Sequence, residues 1–268
     1  MAREIEPGFY WIYEGGPDRS EMFAAEGSSP AWANPDEAVY IPQCAYLLCG
    51  EEESLLLDTL SPAGSDHILD ELEALLDGDG LDYLVVSHPD VPHAGNTLAI
   101  LDAYPDATLV APRYGDDHEL YRLDDALRVG EGDEIDLGGY VVAFHEATFL
   151  DAPVSLWMSE RTTDTLFPID WLGFPHGESE ALQFVDELDA PLGDDRLVQF
   201  HGRVLFWHQY VDVSKVKREI DRLIATHEPE QLAPAHGLVV RREATEQMTR
   251  MKGVVEEIER RDRIGTLG

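Results

Sequence analysis

Lysine is almost missing from this chain. Only Lys215, Lys217 and Lys252 occur in 268 residues, and 19 basic side chains stand against 54 acidic ones, for a net charge of -35. A surface of that sign repels nucleic acid and anionic lipid, which excludes partners of both classes. Cysteine is scarce too. Cys44 and Cys49 lie in one apolar run, which argues against a disulfide framework and reads as two small core residues in a strand. No apolar run is long enough to span a bilayer, and Met1-Ala2-Arg3-Glu4 lacks the apolar core of a secretion signal, so a cytoplasmic protein is expected. No long Pro/Gly/Ser linker divides the sequence, and the expectation is one domain over residues 1–268.

The hydrophobic share is ordinary, at 44%. Apolar residues recur with regular periods, which excludes a disordered chain and leaves a salt-adapted protein from a halophile as the reading of the acidic surface. Short β-rich runs come first: Phe9 to Tyr13, Ala45 to Cys49, and Leu55 to Leu57 leading into Asp58-Thr59. Then the period changes. Ser65 precedes the stripe Ile68, Leu69, Leu72, Leu75, Leu76, which predicts an amphipathic helix capped by the serine and ended by Gly78 to Gly80. A strand over 83–87, a helix through Leu98 and Leu101, and a strand from Thr108 to Ala111 follow. That alternation indicates α/β layers, with loops at strand ends available for chemistry.

Tyr140 to Phe144, Val154 to Met158 and Thr165 to Ile169 return to β, Pro168 marking the last as an edge strand or one that ends at a bulge. Gly177 to Gly202 reads as acidic loop, suited to a lid or a dimer surface. Val213, Val216, Ile220, Leu223 and Ile224 share a helix face, Gln231 to Pro234 form a short strand, and Ala244, Met248, Met251, Val255 and Ile258 mark a closing helix packed on the sheet.

Ligand-type side chains follow four of these strands. His88, Asp90 and His93 come after Tyr83-Leu84-Val85-Val86, Asp170 after Leu166-Phe167-Pro168-Ile169, and His236 after Leu232-Ala233-Pro234; Asp151 is the fourth. Imidazoles and carboxylates spread over several strand ends suit a metal site shared by several loops. His67, His118, His201, His208 and His227 are scattered, and each is expected at the surface or half-buried.

Taken in order, Phe9-Tyr10-Trp11, Ala45-Tyr46-Leu47, Leu57-Asp58-Thr59, the 88–96 segment, Asp136-Leu137-Gly138-Gly139, Asp170-Trp171-Leu172-Gly173 and Ala233-Pro234-Ala235-His236-Gly237 resemble the metallo-β-lactamase superfamily. Within it the chain is most similar to the β-lactamase-like diiron domain of flavodiiron proteins, and the likeness covers nearly the whole length. It implies an α/β fold, a four-layered αββα sandwich, with an iron centre of one or two ions; zinc and manganese are the other candidate metals.

That family's ligand pattern is His-x-Glu-x-Asp-His, then a distant His, an Asp and a final His. Carried over by position, it places ligands at His88, Asp90, His93, Asp170 and His236, and puts Pro92 where the family has an aspartate. For the distant ligand, His145 lies in or at the end of a strand where the family has an apolar residue. Asp151 stands nineteen positions before Asp170, the separation the family shows, and is preferred. The first site would hold His88, Asp90, Asp151 and Asp170, and the second His93, His236 and a share of Asp170. So many oxygen donors favour iron or manganese over zinc. Asp58, by analogy with this fold, supports the loop by hydrogen bonds; His145 and His176 are further candidates for such support, His176 also for the ligand lost at Pro92.

The resemblance implies binding or reduction of oxygen or nitric oxide. The 268 residues contain no flavodoxin-like region with a phosphate-binding loop, so electrons are expected from a separate flavoprotein, and a head-to-tail homodimer is implied. A zinc hydrolase of an ester, thioester or lactone is the alternative, although hydrolases of the superfamily usually have His at position 90 and Asp at 92. A degenerate site kept as a sensing or interaction module is the third reading, raised by the substitutions at 90, 92 and 151. The stretches expected to wall the pocket, Gly15 to Asp36 and Gly177 to Gly202, carry no motif that names a substrate.

Overall fold

The computed structural model describes residues 1–15, 32–33, 37–113, 126–152 and 154–261. Most of Gly15 to Asp36, and His118, therefore lie outside the described residues. The chain groups into two compact units, Met1–Glu14 with Gln43–Thr162, and Gly15–Pro42 with Thr163–Gly268.

The first unit is built on a seven-stranded sheet. β1 (Ala2–Glu6), β2 (Phe9–Glu14), β3 (Gln43–Cys49) and β4 (Ser54–Leu57) pair antiparallel in that order. β5 (Tyr83–Val85), β6 (Thr108–Pro112) and β7 (Leu127–Val129) then continue it in parallel. The change of sense follows from the connections. A tight turn joins β3 to β4, whereas β4 reaches β5 only through helix α1 (Ser65–Leu76), as a parallel crossover requires. Ile68, Leu72 and Leu76 of α1 are buried in one cluster with Leu47, Leu56 and Leu84 of the sheet. Ser65 is the first helical residue and not the cap; Gly64 occupies that position and no side chain caps the helix.

At the β3–β4 turn, Gly50 packs so closely that a Cβ there would lie 2.0 Å from the Leu137 carbonyl oxygen. A smaller antiparallel arrangement follows, β8 (Glu134–Asp136), β9 (Val141–Glu146) and β10 (Leu156–Glu160), and Glu51 and Glu52 donate their N–H groups to the Gly138 and Leu137 carbonyls, which ties the β3–β4 turn to the one between β8 and β9. β9 starts and ends later than expected and so includes His145, while β10 starts at Leu156 rather than Val154. Two short helices, α2 (Val91–Ala94) and α3 (Thr97–Ala103), follow β5. α3 buries Thr97 and Ile100, and Leu98 is exposed.

In the second unit β11 (Thr165–Phe167) pairs in parallel with β12 (Gln231–Leu232). β11 stops before Pro168, whose missing N–H cannot extend a ladder. The stretch expected to be loop contains a helix, α4 (Asp194–His201). Two aspartates open it, where the positive end of the helix dipole favours them, and Leu197, Val198, Phe200 and His201 are buried. α5 (Val213–His227) and α6 (Ala244–Arg260) follow the predicted stripes, with Met248 and Met251 wholly buried. The main contacts of α6 are with α5, α4 and the Phe206–Tyr210 turn, so helices rather than the expected sheet cover its apolar face.

Candidate metal centre

In the first unit the segment after β5 turns at Ser87 to Asp90 and enters α2. Pro92 sits in the first turn of α2, where its missing N–H leaves no helical hydrogen bond unmade. Local structure thus accommodates the proline that interrupts the ligand pattern. Asp58, at φ 63, lies beneath this segment. Its Oδ1 accepts the Ser87 N–H at 2.8 Å, and its Oδ2 accepts the Ser87 hydroxyl at 3.0 Å and pairs with His93 Nδ1 at 2.7 Å. A carboxylate accepts only, so the His93 proton sits on Nδ1 and Nε2 keeps its lone pair. The Ser87 oxygen, its hydrogen directed to Asp58, accepts from His88 Nδ1 at 3.2 Å and leaves Nε2 of His88 as the second basic nitrogen.

Nε2 of His88 faces Asp151 Oδ1 at 3.7 Å. With Asp90 these two form a group whose ligand atoms all lie within 4.8 Å of one another, His88 buried and both carboxylates toward solvent. The His88 and His93 rings lie 3.9 Å apart between centroids. His145 is elsewhere on β9, its Nε2 at 2.8 Å from Ser159 Oγ and its Nδ1 at 3.2 Å from Glu131. Three residues to which the sequence analysis assigned no role secure the segment. Thr59 donates its hydroxyl and its N–H to the His93 carbonyl, and Asn96 donates to the Thr59 and Ser61 carbonyls. Ser87 is the third. Polar residues at a predicted strand end were the available signal, but which atoms they reach is a matter of tertiary folding.

In the second unit the loops after β11 and β12 are cross-tied. Ala235 donates to the Ile169 carbonyl and Phe174 to the His236 carbonyl, each at 2.8 Å. Nδ1 of His236 lies 2.8 Å from the Pro42 carbonyl, which can only accept, so Nε2 again carries the lone pair, and it faces Asp170 Oδ1 at 3.2 Å. Two acceptors opposed at that distance fit a cation or a proton between them. An Nε2 lone pair fixed by a donor interaction at Nδ1, with carboxylate oxygens adjacent, is the donor set a transition metal takes.

His176, His201 and His208 are buried, His201 and His208 against the expectation of surface or half-buried positions. Burial pushes His201 down to about 3 and His208 and His176 to about 4, so all three rings are neutral near pH 7. His176 directs Nδ1 to the Gly177 carbonyl at 2.7 Å. It belongs to none of the metal-compatible groups found among the described residues.

The chain belongs to the metallo-beta-lactamase superfamily, whose model matches residues 41–189. It is 26% identical over 245 residues to a nitric oxide reductase of Moorella thermoacetica, which covers 89% of this chain and 57% of that protein. It is 27% identical over 208 residues to an anaerobic nitric oxide reductase flavorubredoxin of Aliivibrio salmonicida, with 75% of this chain and 40% of that protein covered. Among solved structures it is similar to rubredoxin oxygen:oxidoreductase of Desulfovibrio gigas, with a TM-score of 0.74, 21% identity, and 97% of this chain and 61% of that one covered. The flavodiiron protein of Giardia intestinalis gives a TM-score of 0.73 and 16% identity, covering 96% and 60%. The α/β layered sandwich of the superfamily is the fold, and the likeness is to the β-lactamase-like diiron domain of flavodiiron proteins. This chain spans 57% of the first relative and 61% of the first structure. Among the described residues no helix is long and apolar enough to cross a membrane.

Proposed function

We propose that residues 1–268 act as one domain that holds a non-haem iron centre for binding or reducing oxygen or nitric oxide, with His88, Asp90, His93, Asp151, Asp170 and His236 as the ligands. The observation that carries this is the group His88, Asp90 and Asp151, one basic nitrogen and two carboxylates with ligand atoms within 4.8 Å of one another. Within the second unit, the pairing of His236 with Asp170 offers a further nitrogen and carboxylate oxygen. Three carboxylates among six donors suit iron, or manganese, better than zinc. Asp90 is one methylene shorter than the glutamate of the family pattern and Pro92 supplies no donor, so this ligand set diverges from that pattern.

Bound iron would supply the redox chemistry. The chain's own contribution is to hold protons away from the donor nitrogens. Asp58 keeps the His93 proton on Nδ1, Ser87 does so for His88, and the Pro42 carbonyl for His236. The carboxylates offset the metal's charge. A separate flavoprotein as electron donor, and a homodimer as the working form, belong to the same proposal; they rest on the family likeness and on the names of the relatives.

Metal analysis of protein purified without chelator tests the reading. Stoichiometric iron with a ligand-to-metal absorption band, and consumption of oxygen or nitric oxide when a reduced flavoprotein is added, is the expected result. Zinc with esterase activity would replace it by the hydrolase reading, and a folded protein that takes up no metal by the degenerate one.

A further inference from the structure

We propose that His201 is a positioning residue for the Asp170 carboxylate, its Nε2 accepting the Leu172 N–H and so holding the turn that presents that ligand. No motif marks this histidine. It ends α4, fully buried, with Nδ1 at 2.8 Å from the Leu197 carbonyl oxygen four residues earlier. A carbonyl only accepts, so the ring hydrogen is on Nδ1 and the Nε2 lone pair is directed out of the helix. Leu172 N lies 3.0 Å from it and donates.

The turn it meets is unfavourable on its own. Ile169 and Leu172, on either side of Asp170 and Trp171, have φ of 55 and 68, the left-handed region that side chains branching at Cβ or Cγ rarely occupy. Asp170 closes the turn with its own carbonyl, which accepts the Gly173 N–H at 3.2 Å. Phe200, next to His201, lies directly over Gly173: a Cβ there would be 2.6 Å from the phenyl ring. α4 therefore grips the turn twice, by a ring on the glycine and by a lone pair on the leucine amide. The second grip is the directional one. Without it a buried N–H loses its acceptor, and the simplest relief is for Ile169 and Leu172 to leave the left-handed region, which rotates the Asp170 carboxylate between them away from its place opposite Nε2 of His236. The ligand set would keep its composition and lose its geometry.

The proposal rests on Asp170 being a ligand, and the experiment separates the two. His201→Leu removes the acceptor, and His201→Gln restores an oxygen at about the same reach. Each is compared with the original protein in metal affinity by chelator competition, in the visible spectrum of the cobalt-loaded form, and in the melting of the metal-free form. The leucine variant should bind metal about 10–100-fold more weakly with altered cobalt bands, and the glutamine variant should recover both. A leucine variant with unchanged affinity and cobalt bands overturns the positioning role, whatever its melting temperature. If the leucine variant does not fold, His201→Met takes its place with the same two outcomes. Asp170→Ala is measured alongside. Metal lost there but unchanged in His201→Leu sinks the positioning role alone, whereas full metal retention in Asp170→Ala sinks the ligand assignment and the positioning role with it.

Discussion

Oδ2 of Asp58 lies 2.7 Å from Nδ1 of His93, and both side chains are buried. That contact decides which nitrogen of His93 can meet a metal. In an Asp58→Asn variant the amide can donate to Nδ1 instead, which moves the ring proton to Nε2 and blocks it as a donor atom. Metal affinity should fall about 10–100-fold, read by chelator competition. Unchanged affinity would remove His93 from the ligand set.

Asp170→Ala should release metal from the whole centre, because in the proposed ligand set this carboxylate belongs to both sites. Asp151→Ala should lower metal content as well. His145→Ala should leave it intact, since this β9 imidazole is engaged with Ser159 of β10 and with Glu131. Elemental analysis of the three variants decides it; loss of metal in His145→Ala with retention in Asp151→Ala would reverse the assignment of the distant ligand.

Acid should destabilise the fold through its buried histidines. Burial holds His201 at about 3 and His208 and His176 at about 4, against 6.5 for an exposed ring. The unfolded chain therefore binds more protons than the folded one between those limits. The stability these rings contribute is complete above pH 6.5 and is lost as pH falls through that window, at roughly 1.4 kcal/mol per pH unit for each ring. His208→Phe, which retains an aromatic ring against Trp207, should flatten the pH dependence of urea stability by about one proton. The same slope in both proteins would show that His208 is not held neutral.

Salt should stabilise the protein. Pairs such as Lys217 with Glu256 and Lys252 with Asp221 engage two of the three lysines, and a net charge of -35 remains. Added ions screen that self-repulsion. The melting temperature should rise between low and molar potassium chloride, and a flat or falling series would end the halophilic reading.

Where the sequence was legible, one residue's neighbours along the chain were enough. The stripes of α1, α5 and α6 are local patterns and lie where the periodicity puts them, and the apolar strands before His88 and His236 begin where expected but stop two residues early, at Val85 and Leu232. Asp194–His201 was not legible: eight residues opening on two aspartates in an acidic stretch carry too short a stripe to distinguish a helix from a loop. His201 and His208 are expected at the surface or half-buried because nothing beside them in the sequence announces burial; α6, from more than thirty residues further along the chain, packs against the elements that carry them.

By itself the sequence determined the strand-end placement of the ligand-type side chains, the three carboxylates set beside three imidazoles, and Pro92 in the middle of the motif, since all are matters of residue order and type. Only the tertiary structure decided which nitrogen of each imidazole is basic. That depends on Asp58 under His93 and Pro42 against His236, acceptors brought from distant parts of the chain to the distance of a single hydrogen bond. A proton's position on a ring is set by the atom it faces, and no spacing along the chain specifies that atom.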